Sequence, residues 1–480
     1  MFPRFLVFVA IVTISSACPA RAEPVSVPQV KEALDKAIRT IHSRFSVEGG
    51  YASGWTLSTG KGHSEHRSSS SVISIQPPGT TSLGPAFLRV YQLTGSPEAL
   101  EAAGNAAICL TRCQLSSGGW DSDFDFDPKQ ANRYHLASQF AAGDKDPGKR
   151  RHRSTLDDNK TQSALSFLLE YVHTIDEPKA VRDTLDFGLA SLLAAQDPTG
   201  GWPQKYEGAA REKTEPTSAT FPEDWPREWP DVSYSSYLTL NDGNLYHIAR
   251  LLLKAHELTQ EEEFVEAAIR LGDFLRLAQL PAPQRGWAQQ YDFEMHPVWA
   301  RRFEPPAVSS IETYSAIETL FELWAATGMD RFREPIPEAL TWLRDSRLDD
   351  GSWARFYELK TNRPLYCEAG SYRLTYDDSQ LPTHYGFQIP PKWGNRIERM
   401  EAALERSLSE ARKQRSGERS ASSWEKEKRD LEKNVSKILS QRNTDGIWCE
   451  GDSADARTWT RNLTLLCNYL EAVEKSSVVP

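Results

Sequence analysis

Apolar residues recur three and four positions apart along most of the chain, the spacing that gives a helix one buried stripe. Stripes of this kind predict helices over 27–45, 83–93 and 97–113. Further pairs follow over 159–173 with 178–195, 242–258 with 261–277, and 310–326 with 336–345. Thr94-Gly95-Ser96 interrupts the first pair, with Ser96 placed as a cap for the helix behind it. Another pair, 397–413 and 424–440, is dense in Glu, Lys and Arg and reads as a solvated outer pair joined by the polar stretch 416–423. A last helix over 459–473 has no partner after it. Strand signal is confined to short pieces such as 72–75 and the Asp-rich run 121–127.

A glycine–aromatic turn punctuates these helices at Gly50-Tyr51, Gly119-Trp120, Gly201-Trp202, Gly286-Trp287, Gly351 to Trp353, and Gly446 to Trp448. Its uneven spacing describes one repeated unit with loops of differing length. The lone first helix and the leftover last helix complete each other. Six pairs then close into a ring, so the expected fold is all-α, an α/α toroid whose long loops form a groove at one end.

Of the 480 residues, 39% are hydrophobic and 14 are Trp, ample for a large core. The net charge of −10 argues against a protein that tracks nucleic-acid phosphates. A polyanionic ligand would need clustered Arg and Lys, or a bound metal, against this overall field. Arg4, the apolar run FLVFVAIVTI and Ala20-Arg21-Ala22 have the layout of a signal peptide over 1–22. Residues 23–480 are then expected to form one secreted or periplasmic domain, and no segment is long enough to span a membrane. Lipid attachment through Cys18 ranks second, because Ser15 stands where such a site wants a leucine-like residue. The five cysteines that remain show no zinc spacing, and Cys109 and Cys113, one helical turn apart, read as buried thiols. The protein is expected to be a monomer.

The run YDFEMHPVWARRFEPPAVSSI, 291–311, concentrates Arg301, Arg302 and Glu304 among aromatics and prolines. With TLDDNKT at 155–161, GGWPQKY at 200–206, LTLNDG at 238–243 and WARFYELKTNRP at 353–364, it resembles the pectate lyases of polysaccharide lyase family 10, the pectic acid lyases. The five segments occur in the family's order over about half of the chain. The resemblance implies β-elimination on polygalacturonate: loss of the C5 proton and expulsion of the C4 oxygen, assisted by Ca2+. It places the family's arginine base at Arg301. Free arginine is a poor base, so that role requires neighbouring cations and desolvation to favour the neutral form. Asp157, Asp158 and Asp242 are the implied metal ligands, with helix capping as the alternative for the first two. The family's Asn-Asp-Asp pattern appears here as Asn241-Asp242-Gly243, one carboxylate short. Arg363, Arg355, Lys205, Tyr206 and Arg302 are the candidate substrate ligands, and Trp202 and Trp353 are either sugar platforms or core plugs.

Other readings of the same residues remain. The Gln-x-x-x-Gly-x-Trp spacing at Gln114 to Trp120 and Gln196 to Trp202 resembles the clasp of terpene-cyclase-like toroids. A glycoside hydrolase would recruit two carboxylates from Asp157, Asp242 and Glu304. A carbohydrate-binding protein without catalysis would account for Gly243. In extended form, Asp121, Asp123, Asp125 and Asp127 share one face; a solvated edge strand is expected there ahead of a second calcium site.

Overall fold

The computed structural model describes residues 25–176, 178–212, 215, 217–443 and 446–477. The expected signal segment, 1–22, lies outside them. Helices α1 (Val27–Phe45), α2 (Thr80–Thr94) and α3 (Pro97–Cys113) come first, followed by the short α4 (Pro128–Ala131) and α5 (Ala137–Ala141). Then come α6 (Lys160–Thr174), α7 (Lys179–Ala194), α8 (Asn244–Thr259), α9 (Glu262–Ala278), α10 (Ser310–Thr327) and α11 (Ile336–Asp345). The chain ends with α12 (Gly394–Leu404), α13 (Leu408–Ser416), α14 (Ala421–Ser440) and α15 (Ala456–Ser477). Ser96 caps α3 through a 3.3 Å bond from the Ala99 amide. The charged run 397–413 is two helices, because Ser407 and Glu410 form a capping box that starts a new one inside it.

Neighbouring helices pack in a ring: α15 against α2, α2 against α6, α6 against α8, α8 against α10, and α10 against α13. A second layer of α3, α7, α9, α11 and α14 backs them, and α1 packs on α3 and α15. Polar side chains of α2, α6, α8, α10 and α13, among them Glu170, Arg250, Glu322 and Arg415, line a central cavity of about 780 Å³. The ends of the chain meet where Gly54–Thr56 pairs antiparallel with Ser453–Asp455. This is the α/α toroid, and it buries helix stripes that no single hairpin could cover.

Each glycine–aromatic turn is a tie between layers. The indole nitrogens of Trp120, Trp202, Trp353 and Trp448 donate to the carbonyls of Leu110, Leu192, Leu343 and Ile438, each ten residues back in the preceding helix. Trp287 does the same to Leu275. Gln114 Nε2 bonds the Gly118 and Thr184 carbonyls, and Gln196 Nε2 those of Gly200 and Ala267, clasping each turn to the next outer helix. The clasp is therefore structural, and Trp202 and Trp353 are buried plugs rather than sugar platforms.

Short strands lead from these turns into the inner helices: Ser154–Thr155 before α6, Leu238–Thr239 before α8 and Ala307–Ser309 before α10. They gather the long loops at one end of the ring. The Asp-rich run departs from the expected solvated edge. Asp123–Asp125 pairs with Val72–Ser74, and both acids are buried. Their charge is met by protein groups: Arg67 and Ser64 hold Asp123, Ser69 and Ser71 hold Asp125, and Arg151 lies 3.1 Å from Asp121.

Candidate active site

Two similar turns open the site. In Leu156-Asp157-Asp158-Asn159 and Leu240-Asn241-Asp242-Gly243, a buried leucine anchors the loop and the last two residues enter the left-handed region. Their φ angles are 50° and 60° in the first turn, 52° and 70° in the second. Asp and Asn are the non-glycine residues that adopt this conformation most readily. Asn159 stands where the second turn has Gly243, so the glycine reflects a missing side chain and not a backbone requirement. The turns sit side by side: Asn241 Nδ2 donates to Asp157 Oδ1 at 3.2 Å and to Asp242 Oδ2 at 2.7 Å.

Carboxylate oxygens of Asp157, Asp158 and Asp242 lie within 4.8 Å of one another. No side-chain cap closes the start of α6 or α8, so these acids are turned to one another and not spent on the helix ends. Burial first, and then the charges of Glu312, Asp158 and Asp157, push the Asp242 carboxyl up to about 7, against the opposing pull of Arg355. The buried Lys160 places its ammonium 3.6 Å from both Asp157 and Asp158. Gln204 donates to Asp157 Oδ1 at 3.0 Å, and Asn241 Oδ1 is buried without a hydrogen-bond partner. Three hard oxygen donors and an unsatisfied carbonyl suit a divalent cation of the calcium type.

Arg301 lies in the same cleft. Its Nε and Nη2 form a forked pair with Glu304, at 2.8 and 2.6 Å, and its backbone amide adds a third bond to that carboxylate. Glu304 is buried and also accepts the Tyr385 hydroxyl at 2.9 Å. Arg301 lies 5.6 Å from the Tyr385 ring centre and Arg355 lies 4.7 Å from it, so one tyrosine links Arg301 to the Asp242 side of the cleft. The condition set for a neutral guanidine, neighbouring cations, is not what surrounds Arg301. Desolvation does act to lower the Arg301 pKa, but the hydrogen bonds and charge of Glu304 outweigh it and hold the group well above its ordinary value.

The substrate-ligand candidates separate. Lys205 and Tyr206 form a two-residue strand paired with Ser154–Thr155, so they face opposite ways. Lys205 is half-buried two residues along the partner strand from Asp157. Tyr206 is buried, a correction: it cannot stack on a sugar. Arg355 is also more interior than a substrate fork should be, 3.0 Å from the fully buried Glu312 and 3.9 Å from Asp242. Its guanidinium neutralises acids of the site. Arg302 and Arg363 are exposed and lie over Tyr372 and Tyr376. Sequence reasoning missed Gln204, Glu312, Lys160 and Tyr385, whose parts depend on packing; for Lys160 alone a signal existed, its place beside two aspartates.

Residues 114–352 match the family described as pectic acid lyase. Among solved structures, a family 10 polysaccharide lyase from Cellvibrio cellulosa, as a mutant in complex with trigalacturonic acid, is 18% identical. The match covers 68% of this chain and 99% of that one at a TM-score of 0.47. The same enzyme in another structure gives 18%, 67%, 97% and 0.45. A GH76 α-mannanase from Bacteroides thetaiotaomicron is 10% identical over 93% of this chain and 96% of its own, at a TM-score of 0.44. No curated protein matches the chain. The matched stretch contains both acid turns, Arg301 and Glu304, and through it the chain belongs to the pectic acid lyase family of polysaccharide lyases.

Proposed function

We propose that this protein is a secreted, calcium-dependent pectate lyase that cleaves de-esterified polygalacturonate by β-elimination. The observation that carries the reading is the convergence of Asp157, Asp158 and Asp242 in one cleft with Arg301, inside the stretch that matches the family. The C5 proton next to a uronate carboxylate is too weakly acidic to leave unaided near neutral pH. Asp157, Asp158 and Asp242 would hold Ca2+, which when bound withdraws electron density through that carboxylate and acidifies the proton. Glu304 and Tyr385 fix the Arg301 guanidinium, and Arg355 offsets the negative charge that would otherwise repel the substrate.

Arg301 is the proposed base. Since Glu304 favours its protonated form, the reactive fraction grows about tenfold per pH unit below its pKa, and the rate should keep rising through the alkaline range. The test follows the unsaturated uronide by ultraviolet absorbance on polygalacturonate, with Ca2+ or with a chelator, for the wild type and Arg301→Ala. The expected result is product with Ca2+, little with chelator, and a loss of at least about a hundredfold in the variant. New reducing ends without absorbance would mean hydrolysis, and no product between pH 7 and 10 would overturn the reading. Undiminished activity of Arg301→Ala would overturn only the assignment of the base.

A further inference from the structure

Beside the cleft, on the far side of the Arg301 loop, is an open depression of about 650 Å³ lined by Arg227, Trp229, Arg302, Tyr372, Arg373 and Tyr376, with Glu228 also facing it. Its size is in the range of small-ligand sites. Arg302, in this lining, lies 3.8 Å from the centre of the Tyr372 ring, and Arg363, outside the lining, lies 3.5 Å from that of Tyr376. Among the described residues, neither of these two guanidinium groups has a carboxylate partner. Arg227 stacks on Trp225 at 3.9 Å and pairs with Glu358, a buried acid that also accepts the Tyr376 hydroxyl at 2.8 Å.

Stacking fixes the plane of a guanidinium and leaves its forked edge free to bind a carboxylate. In a chain with a net charge of −10, one such cation in the lining and a second stacked on its Tyr376, neither with an acidic partner among the described residues, match the chemistry of a sugar acid. The depression adjoins the reaction centre. Trp229 Nε1 donates to the Ala300 carbonyl at 3.0 Å, and Phe303 packs at 5.9 Å against Tyr372. Arg301 and Arg302, adjacent in sequence, therefore serve the two sides of one loop.

We infer that this arginine–tyrosine depression is an outlying subsite that binds a uronate residue of the polymer some units away from the bond being cleaved, and so favours long chains over short oligomers. The inference rests on the polyuronate reading above. Its test compares wild type, the double variant Arg302→Ala with Arg363→Ala, and Tyr372→Ala, which removes a stacking face and leaves both charges. Kinetics on polygalacturonate and on trigalacturonate are read beside electrophoretic retardation in gels containing polygalacturonate, which needs no turnover. In the double variant, KM for the polymer should rise about tenfold, the advantage of polymer over trimer in kcat/KM should disappear, and retardation should weaken. Tyr372→Ala should show the same pattern more weakly. Equal losses on both substrates, or retardation as strong as in the wild type, would overturn the subsite and leave the lyase reading standing. A wild type that makes no unsaturated product, but whose retardation is lost in the double variant, would sink the lyase reading and support the subsite.

Discussion

Arg301 and Glu304 are three residues apart, and their forked pair decides the protonation of the group proposed to take the C5 proton. Removing the glutamate charge while keeping an acceptor should make the neutral guanidine easier to reach. For Glu304→Gln the alkaline limb of the pH–rate profile should move to lower pH, while kcat/KM at its maximum falls at least about tenfold because the fork is lost. An unmoved limb would show that another group sets it. His247 offers a separate pH readout. Burial first, and the charge of Arg250 second, lower its pKa to about 4. The unfolded chain then takes up the proton first, so His247 stabilises the fold above about pH 6.5 and this contribution is lost as pH falls toward 4. At most about 3 kcal/mol is at stake. Urea midpoints of wild type and His247→Gln should therefore differ in slope between pH 7 and 4, with the variant flatter.

The repeated element is the clasped glycine–tryptophan turn, and its parts are not interchangeable. Gly200 has φ +100°, and an added Cβ would stand 2.0 Å from the Arg270 carbonyl oxygen. Gly200→Ala should cost about 1–3 kcal/mol from backbone strain, with the clash in addition. At Gly95, the C-cap of α2, φ is +72° and nothing lies within 4 Å, so Gly95→Asn should cost under about 1 kcal/mol. Chemical denaturation of the two variants tests the contrast. At this scale the sequence was most readable where a cap or a proline agreed with the apolar stripe: Val27–Phe45, Pro97–Cys113 and Ile336–Asp345 lie where the spacing puts them. Of the strands, Val72–Ser74 and Asp123–Asp125 fall inside the two runs that carried strand signal; the others were not readable, because pieces of two to four residues leave too few positions to show a period of two.

On the scale of the whole molecule, the acid cluster joins two neighbouring units of the ring, through turns that lead into α6 and α8. Cation binding there should staple the units together. The melting temperature of the wild type should rise with Ca2+ in proportion to the logarithm of its concentration above Kd, and that of Asp242→Asn should not. Without metal, Asp242→Asn should melt higher than wild type, since one crowded carboxylate has gone; a lower metal-free melting temperature would contradict the crowding. By itself the sequence determined the helical ring, through stripes at three and four residues and a turn repeated around it, and it named the acids and arginines from which the site is made. Only the tertiary structure decided their work. It brought Asp157 beside Asn241, 84 residues on. It sank Arg355 against Glu312, turned Tyr206 into the core, and matched Arg301 with an anion instead of the cations that favour a neutral guanidine. Periodicity is local and survives in a string of residues, whereas charge pairing and burial depend on which distant turns share one end of the ring.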